Sequence, residues 1–260
     1  MNDKELWNQM AAHYQNTLHT KDESSYPDDL VAFLAEKGAA EPGSSVMDIG
    51  CGVGKYAIRF AERRCGVHML DLADEMLKYA RENMCAYDVP WRAQECDWEK
   101  TDVQKKGWEK SVDLAFAAMT PAVTGLKGIM NMIAVSRRHC FISKFAEIHN
   151  RMNEKVYASL GQNVPDSNFD GKSWMNLANL IADLGYFPEI TYHDYAWENF
   201  IPLEQAVERF FDGYNMQLQD NAENRRCVRD ALASITNDEG IVHEQVQSKA
   251  AWVYWDVTIN

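Results

Sequence analysis

A glycine-rich turn near the start of the chain, Val46-Met-Asp-Ile-Gly-Cys-Gly-Val-Gly-Lys55, most constrains the fold. An apolar run that predicts a strand leads into Gly50, Gly52 and Gly54, and a helical pattern begins directly after them. Glycines at these positions permit a tight turn and a close approach of the backbone to a ligand at a helix N-terminus. The turn therefore predicts an α/β protein whose ligand lies beyond the carboxyl ends of its strands.

The remaining pattern alternates strands and helices, which is typical of a parallel sheet covered on both faces. The predicted strands are Ser45–Ile49, Gly66–Leu70, Val89–Cys96, Ser111–Ala117, Cys140–Lys144, Glu189–Trp197 and Ala250–Val257. The predicted helices are Leu6–Tyr14, Asp28–Lys37 with Asp28 or Asp29 as its cap, Tyr56–Arg63, Asp74–Tyr87, Ile129–Val135, Ile148–Leu160, Trp174–Leu184, Leu203–Phe211 and Ala222–Ile235.

The net charge and the cysteine content restrict the classes of partner and ligand that this chain is expected to bind. The 260 residues carry a formal net charge of −13, so neither nucleic acid nor an anionic membrane surface is an expected partner. No apolar run is long enough to span a bilayer, and the N-terminus does not resemble a signal peptide. The six cysteines form no CxxC pair, and the histidines have no zinc spacing, so no metal is expected. These features predict a cytoplasmic protein.

The glycine turn leaves few ligand classes. The dinucleotide fingerprint G-x-G-x-x-G requires a glycine where this chain has Lys55, and the P-loop pattern is also absent. Asp48, two residues before the first glycine, would repel phosphate oxygens and suits a ligand with cationic groups. An alternative role for Asp48 is to tie down the loop by accepting backbone N–H groups. Both roles remain open at this point.

Asp71 is the second informative acid. It ends the next predicted strand, 21 residues after Gly50, which is the spacing at which a strand-end acid meets a ribose diol. A carboxylate offers only acceptors and can take both ribose hydroxyls. Together with the glycine turn, it predicts a site for a ligand that contains a nucleoside.

The segment from Val46 to Ala61 resembles the first motif of class I S-adenosylmethionine-dependent methyltransferases, and His68-Met-Leu-Asp-Leu-Ala-Asp-Glu-Met-Leu77 is similar to their second-strand motif. Glu95-Cys-Asp-Trp98 resembles the third-strand motif, which implies that Asp97 contacts the adenine amino group. Val112–Met119 resembles the fourth strand, and Tyr14 matches a tyrosine that faces the methionyl end of the cofactor. The resemblance implies cofactor contacts at Tyr14, Asp48, Gly50, Cys51, Gly52, Gly54, Asp71, Leu72, Met76, Asp97, Trp98, Ala118 and Met119.

The fold implied by the resemblance is a doubly wound, Rossmann-like, seven-stranded sheet, mostly parallel with an antiparallel last strand. One methyltransferase domain is expected over residues 1–260. Residues 1–27 would form an N-terminal helical cover and residues 28–146 the cofactor-binding half. The helical insertions 147–187 and 198–247 would cover the substrate or form a dimer surface.

The chain departs from the family pattern at two places. Ala73 replaces a common serine, so Asp74 is expected to cap the following helix. Met119-Thr-Pro-Ala122 replaces the Asn/Asp-Pro-Pro-Tyr signature of nucleic-acid amino-group methylases, which argues against base methylation.

Other side chains have ordinary structural interpretations beside functional ones. His13, His19 and His149 could act as bases but are expected on the surface or in packing, and Lys144, beside Ser143 at the end of the fifth strand, is expected to be exposed. Trp174 and Trp197 are candidates for an aromatic cage, whereas Trp252, Tyr254 and Trp255 are expected in the core or on a sheet face. No residue is identified as catalytic.

The predicted function is methyl transfer from S-adenosylmethionine to a small-molecule acceptor, with S-adenosylhomocysteine as product. The alternative is a non-catalytic sensor that binds S-adenosylmethionine, and an NAD-dependent dehydrogenase is a distant third. Residues 1–150 carry a net charge of −4 and the remainder −9, which favours a neutral or cationic acceptor. A homodimer is a further possibility.

Overall fold

A computed structural model describes residues 3–18, 26–164, 173–212 and 218–258. Its helices are α1 (Asp3–Thr17), α2 (Tyr26–Glu36), α3 (Lys55–Glu62), α4 (Asp74–Met84), α5 (Leu126–Val135), α6 (Arg151–Ser159), α7 (Ser173–Asp183), α8 (Leu203–Asp212) and α9 (Ala222–Ala233). Its strands are β1 (Ser45–Ile49), β2 (Gly66–Asp71), β3 (Trp91–Glu95), β4 (Val112–Ala118), β5 (Ser136–Asn150), β6 (Glu189–Pro202) and β7 (Ile241–Asp256).

The seven strands form one sheet in the order β3-β2-β1-β4-β5-β7-β6. Strands β1 to β5 pair in parallel, and the last strand is antiparallel, so the predicted fold class is confirmed. The central strands β1 and β4 are almost wholly buried, because helices follow the strands on both faces, and they are correspondingly apolar. This order places the carboxyl ends of β1, β2 and β4 side by side.

The chain divides into two compact units. The first comprises Met1–Lys144, Ser173–Tyr192 and Ala251–Asn260, and the second comprises Phe145–Lys172 and His193–Ala250. The second unit overlaps the two predicted insertions, 147–187 and 198–247, but α7 belongs to the first unit. Leu177, Ala178 and Ile181 of α7 are buried in the core of that unit, so this helix is part of its packing.

Each unit has a core of its own. In the first, Phe116 stacks on Phe141, and the buried Trp252 and Trp255 lie in the core as expected. In the second, Tyr157, Phe210 and Val228 belong to one buried cluster. Large buried aromatic and aliphatic side chains of this kind contribute about 1.5–3 kcal/mol each to stability.

Several element boundaries differ from prediction. Strand β5 continues to Asn150, where a helix was expected from Ile148, and the Asn150 side chain caps α6 by accepting two backbone N–H groups. Helix α2 begins at Tyr26, so Asp28 and Asp29 lie in its first turn and do not cap it.

The N-terminus of α4 differs from the prediction that Asp74 caps this helix. Its N-cap is Ala73, which makes no side-chain capping bond, and Asp74 is already helical. Asn8 of α1 supplies the missing acceptor: its Oδ1 accepts the Glu75 N–H at 3.1 Å, and its amide donates to Asp74 Oδ1 at 3.0 Å. A side chain from another helix therefore caps α4.

None of the helices in the described ranges is long and apolar enough to cross a bilayer.

Candidate active site

The glycine turn adopts the conformation for which glycine is needed. Gly50, Gly52 and Gly54 have φ values of 71°, 55° and 89°, a region that other residues rarely enter. A methyl group added at Gly50 would lie 2.0 Å from Thr120 Oγ1, so the loop after β4 closes against this position. At Gly52 the nearest atom to such a methyl group would be Met76 Sδ at 4.0 Å, which leaves open space for a ligand.

Asp71 fixes the turn from the end of β2. Its Oδ2 accepts the Gly52 N–H at 2.8 Å, and its Oδ1 accepts the Ala73 N–H at 2.9 Å. Burial raises the pKa of Asp71, and these backbone donors oppose that shift. Each carboxylate oxygen keeps a lone pair beyond its backbone bond, so the group can still accept hydrogen bonds from a diol.

Asp48 lies in β1 and is almost fully buried. Its Oδ2 has no hydrogen-bond partner in the structure. Burial first, and then the neighbouring charge of Asp71, raises the pKa of Asp48 to about 8. The backbone N–H of Gly52 is held by Asp71, so the interpretation of Asp48 as the anchor of the loop fits poorly. An unpartnered buried carboxylate instead favours a cationic ligand group beside it.

The other predicted contacts on the β2 and β3 side divide into accessible and buried groups. Leu72 and Asp97 are partly exposed, and Asp97 is paired with Lys100 at 2.7 Å. Met76 is buried next to Gly52. The Trp98 side chain is buried and donates from Nε1 to Gly128 O at 3.1 Å, so it supports the core and leaves only its main chain for a ligand.

The segment after β4 carries conformational strain. Met119 has φ 50°, in the left-handed region, and its N–H donates to Ser143 O at 3.0 Å. Strain of this kind, costing of order 1–3 kcal/mol, is typical of functional sites. Ala118 is buried beside it, and Thr120 follows against Gly50.

Tyr14 and Cys51 differ in their exposure and in the contacts that they can make with a ligand. Tyr14 of α1 is partly exposed, and its ring contacts those of Trp7 and His13. Cys51 is buried in the turn, where burial and the charges of Asp71 and Asp48 raise the pKa of its thiol well above the usual value. Cys51 therefore remains a neutral thiol, and its main chain continues the turn.

Two features of this region were not anticipated from the sequence. Lys144 is partly buried and not exposed, because its Nζ donates to Thr120 O at 2.5 Å and to Val123 O at 3.1 Å. The Tyr26 hydroxyl donates to Ser143 Oγ at 2.8 Å and accepts from Trp252 Nε1 at 3.2 Å. These contacts join residues more than twenty positions apart, so no local spacing indicates them.

The remaining candidates are three histidines and two tryptophans. His13 is exposed, and His19 lies outside the described residues. His149 is exposed, pairs with Glu147 and Glu154, and lines a cavity of about 240 Å³ within the second unit, together with Trp197. In the first unit, Trp174 packs on Tyr192. Within the described part of the chain, no group of three His, Cys, Asp or Glu side chains could hold a metal ion.

Part of the chain matches a known protein family. Residues 46–140, which contain the turn, Asp71 and β4, match the family described as a methyltransferase domain. This segment is therefore similar to a methyltransferase domain, in line with the resemblance of its motifs. Solved structures with this fold hold S-adenosylmethionine or its product S-adenosylhomocysteine. No curated relative matches the sequence.

Solved structures share the methyltransferase fold at low identity. The magnesium protoporphyrin IX methyltransferase of Synechocystis PCC 6803, with bound S-adenosylhomocysteine, is 13% identical with a TM-score of 0.53, over 95% of this chain and 96% of that one. An S-adenosylmethionine-dependent methyltransferase of Aquifex aeolicus is 13% identical with a TM-score of 0.50, over 94% and 98%. Phosphoethanolamine N-methyltransferase 2 of Haemonchus contortus, in complex with S-adenosylmethionine, is 17% identical with a TM-score of 0.52, over 88% and 52%.

S-adenosylmethionine fits the residues present. Its nucleoside requires acceptors for a diol, and Asp71 retains them. Its methionyl end carries an ammonium group, which suits the unpartnered oxygen of Asp48. The space above Gly52 is open for close approach of the ligand. The glycine turn thus has the open space and the acceptor groups that such a ligand requires.

Proposed function

We propose that this protein transfers a methyl group from S-adenosylmethionine to a small-molecule acceptor by in-line displacement. The observation that carries the proposal is the coupling of Asp71 to the glycine turn: one carboxylate holds Gly52 and Ala73 and still offers acceptors to a ribose. Asp48, Asp71 and the turn would hold the donor. Asp97 and the main chain of Trp98 would line its adenine end, while Tyr14, Ala118 and Met119 would line its methionyl end.

S-adenosylmethionine supplies an activated methyl group on a sulfonium, and the sulfur leaves as a neutral thioether that needs no proton. The protein therefore contributes mainly by positioning donor and acceptor in line. Met119, with its left-handed φ, and Thr120, which lies against Gly50, are at the carboxyl end of β4, next to that of β1. This segment would border the path by which the acceptor approaches the methyl group.

Two observations support a small acceptor. The net charge of −13 disfavours nucleic acid. A protein with the same fold acts on magnesium protoporphyrin IX, a small molecule. The same charge is consistent with a neutral or cationic acceptor. A cytoplasmic location and a homodimer remain predictions.

Isothermal titration with S-adenosylhomocysteine tests the proposal. We expect saturable binding to the wild-type protein, and an affinity lower by roughly ten- to a hundredfold in Asp71→Asn, because a charge-assisted hydrogen bond contributes about 1.5–3 kcal/mol. Asp102→Asn is the matched control, since Asp102 is an exposed acid paired with Lys105. Binding of NAD in place of S-adenosylhomocysteine would refute the proposal.

A further inference from the structure

Lys144 lies on the side of the site where the methyl acceptor must approach. Asp71 and Asp97 follow β2 and β3, so the nucleoside end of the donor lies on that side of β1. The opposite neighbours of β1 are β4 and then β5, and Ala118 of β4 pairs with Ser143 of β5. Lys144 is the next residue of β5. The position of the acceptor on this side of β1 rests on the proposed function.

The amine of Lys144 is held in an unusual setting for lysine. Its two hydrogen-bond acceptors are the carbonyl oxygens of Thr120 and Val123, in the segment that closes against Gly50. Among the described residues, no carboxylate forms an ion pair with it. A neutral amine has two N–H donors and one lone pair. The two carbonyls use both donors of that form and leave the lone pair available.

Few charged groups lie near the amine of Lys144. The segment from Met119 to Gly125 contains no titratable side chain, and on β5 the adjacent Ser143 is bonded to the Tyr26 hydroxyl. Glu99 is the acid that acts on the amine, from a position where its Oε1 accepts the Thr124 and Gly125 N–H groups. Burial outweighs the attraction of Glu99 and lowers the pKa of Lys144 to about 8. A sulfonium nearby would lower it further, because like charges disfavour the ammonium form.

We propose that Lys144 accepts the proton of the methyl acceptor, and that this acceptor is therefore a hydroxyl or an amine rather than a thiolate. As the bond from the acceptor oxygen or nitrogen to the methyl carbon forms, the carbon–sulfur bond breaks and its electron pair remains on sulfur. The proton of the acceptor moves to the lone pair of Nζ. The ammonium so formed releases this proton to water after the product leaves. A thiolate acceptor would need no such group.

The test measures the titration of Lys144 directly and needs no acceptor. Protein labelled with carbon-13 at lysine Cε is titrated by NMR alone, with S-adenosylhomocysteine, and with S-adenosylmethionine, which adds one methyl group and one positive charge. The Lys144 resonance is the one missing from Lys144→Met. If that variant does not fold, Lys144→Arg, which keeps the charge, provides the assignment.

We expect a midpoint near pH 8 in the free protein, and a midpoint lower by about half a pH unit or more with S-adenosylmethionine than with S-adenosylhomocysteine. A midpoint near the ordinary lysine value, or equal midpoints with the two ligands, would overturn the assignment of Lys144. If S-adenosylhomocysteine binds in the titration calorimeter while Lys144 does not respond, only this inference fails. If neither ligand binds, the proposed function fails as well.

Discussion

The ionisation of Asp48 differs between the folded and the unfolded chain. Its pKa is about 8 in the native protein against 3.8 for a free side chain. Between these values the unfolded chain has released a proton that the native chain still holds, so stability falls as the pH rises. The slope contributed by this one group is up to about 1.4 kcal/mol per pH unit.

We therefore expect Asp48→Asn to lose less stability than the wild type between pH 5 and pH 8. An amide mimics the protonated carboxyl and does not titrate. Urea unfolding at several pH values, without ligand, gives the slope of the free energy of unfolding against pH for each protein. Parallel slopes in the two proteins would show that Asp48 is ionised in the native state and would contradict the assigned burial effect.

Gly50 is the position of the glycine turn that tolerates a larger residue least. Gly50→Ala combines a φ of 71° with a methyl group placed 2.0 Å from Thr120 Oγ1, so either the turn or the loop after β4 must move. We expect a loss of about 2–4 kcal/mol in the free energy of unfolding, from backbone strain and overpacking together. Denaturant unfolding measures it.

Gly43→Ala is the matched control. Gly43 has a similar φ of 89°, but no atom lies within 4 Å of the added methyl group. Its expected loss is about 1 kcal/mol, from the backbone alone. Equal losses at Gly43 and Gly50 would mean that the contact with Thr120 contributes nothing.

The residues of the site divide by whether their role is local. The glycines and Asp71 could be found because a strand, a tight turn and a strand-end acid leave their pattern in consecutive residues. The side-chain burial of Trp98 and the hydrogen bonds of Lys144 could not, since they depend on Gly128 and on the Thr120–Val123 segment, which come together only in the folded chain.

At the scale of elements, α1 and α4 stabilise each other through a cap that crosses between them. Asn8→Ala removes both the acceptor for the Glu75 N–H and the bond to Asp74. We expect a loss of about 0.5–1 kcal/mol, because the site is exposed, together with faster hydrogen exchange in α1. Mass spectrometry of exchange into α1 peptides measures the second effect.

The double variant Asn8→Ala/Ala73→Ser separates capping from attachment. Serine at the N-cap position restores an acceptor to α4 and should recover much of the stability. The exchange of α1 should remain fast, since its bond to Asp74 is still missing. Recovery of slow exchange in α1 would show that Asn8 acts only as a cap.

The strands were easiest to locate where burial is continuous. β1 has the predicted bounds because an apolar run meets glycines at its end. β5 and β7 are longer than predicted. The outer part of β5 has partly exposed and exposed residues, and in the outer part of β7 buried residues alternate with more exposed ones. In β7 the buried positions include Glu244 and Ser248, which hides the apolar alternation. Glu244 tolerates burial because Asn150 and Asn199 donate to it and Arg209 pairs with it.

At the scale of the whole molecule, the chain contains two compact units with separate apolar clusters. The glycine turn, Asp48, Asp71 and Lys144 all belong to the first unit. A ligand that binds only a folded unit stabilises that unit by mass action, by about 2.7 kcal/mol at a hundredfold excess over its dissociation constant. The two units should therefore respond differently to the same ligand.

We expect scanning calorimetry to resolve two transitions, of which S-adenosylhomocysteine raises the midpoint of one. Phe210→Ala, in the core of the second unit, should lower the midpoint of the other transition. The expected loss in the free energy of unfolding is about 3–5 kcal/mol, because Phe210 is almost fully buried. Phe60→Ala is the matched substitution in the first unit, where the phenylalanine is equally buried. A single transition that both variants lower and the ligand raises would show that the two units unfold as one cooperative body, which would favour the single domain expected from the sequence.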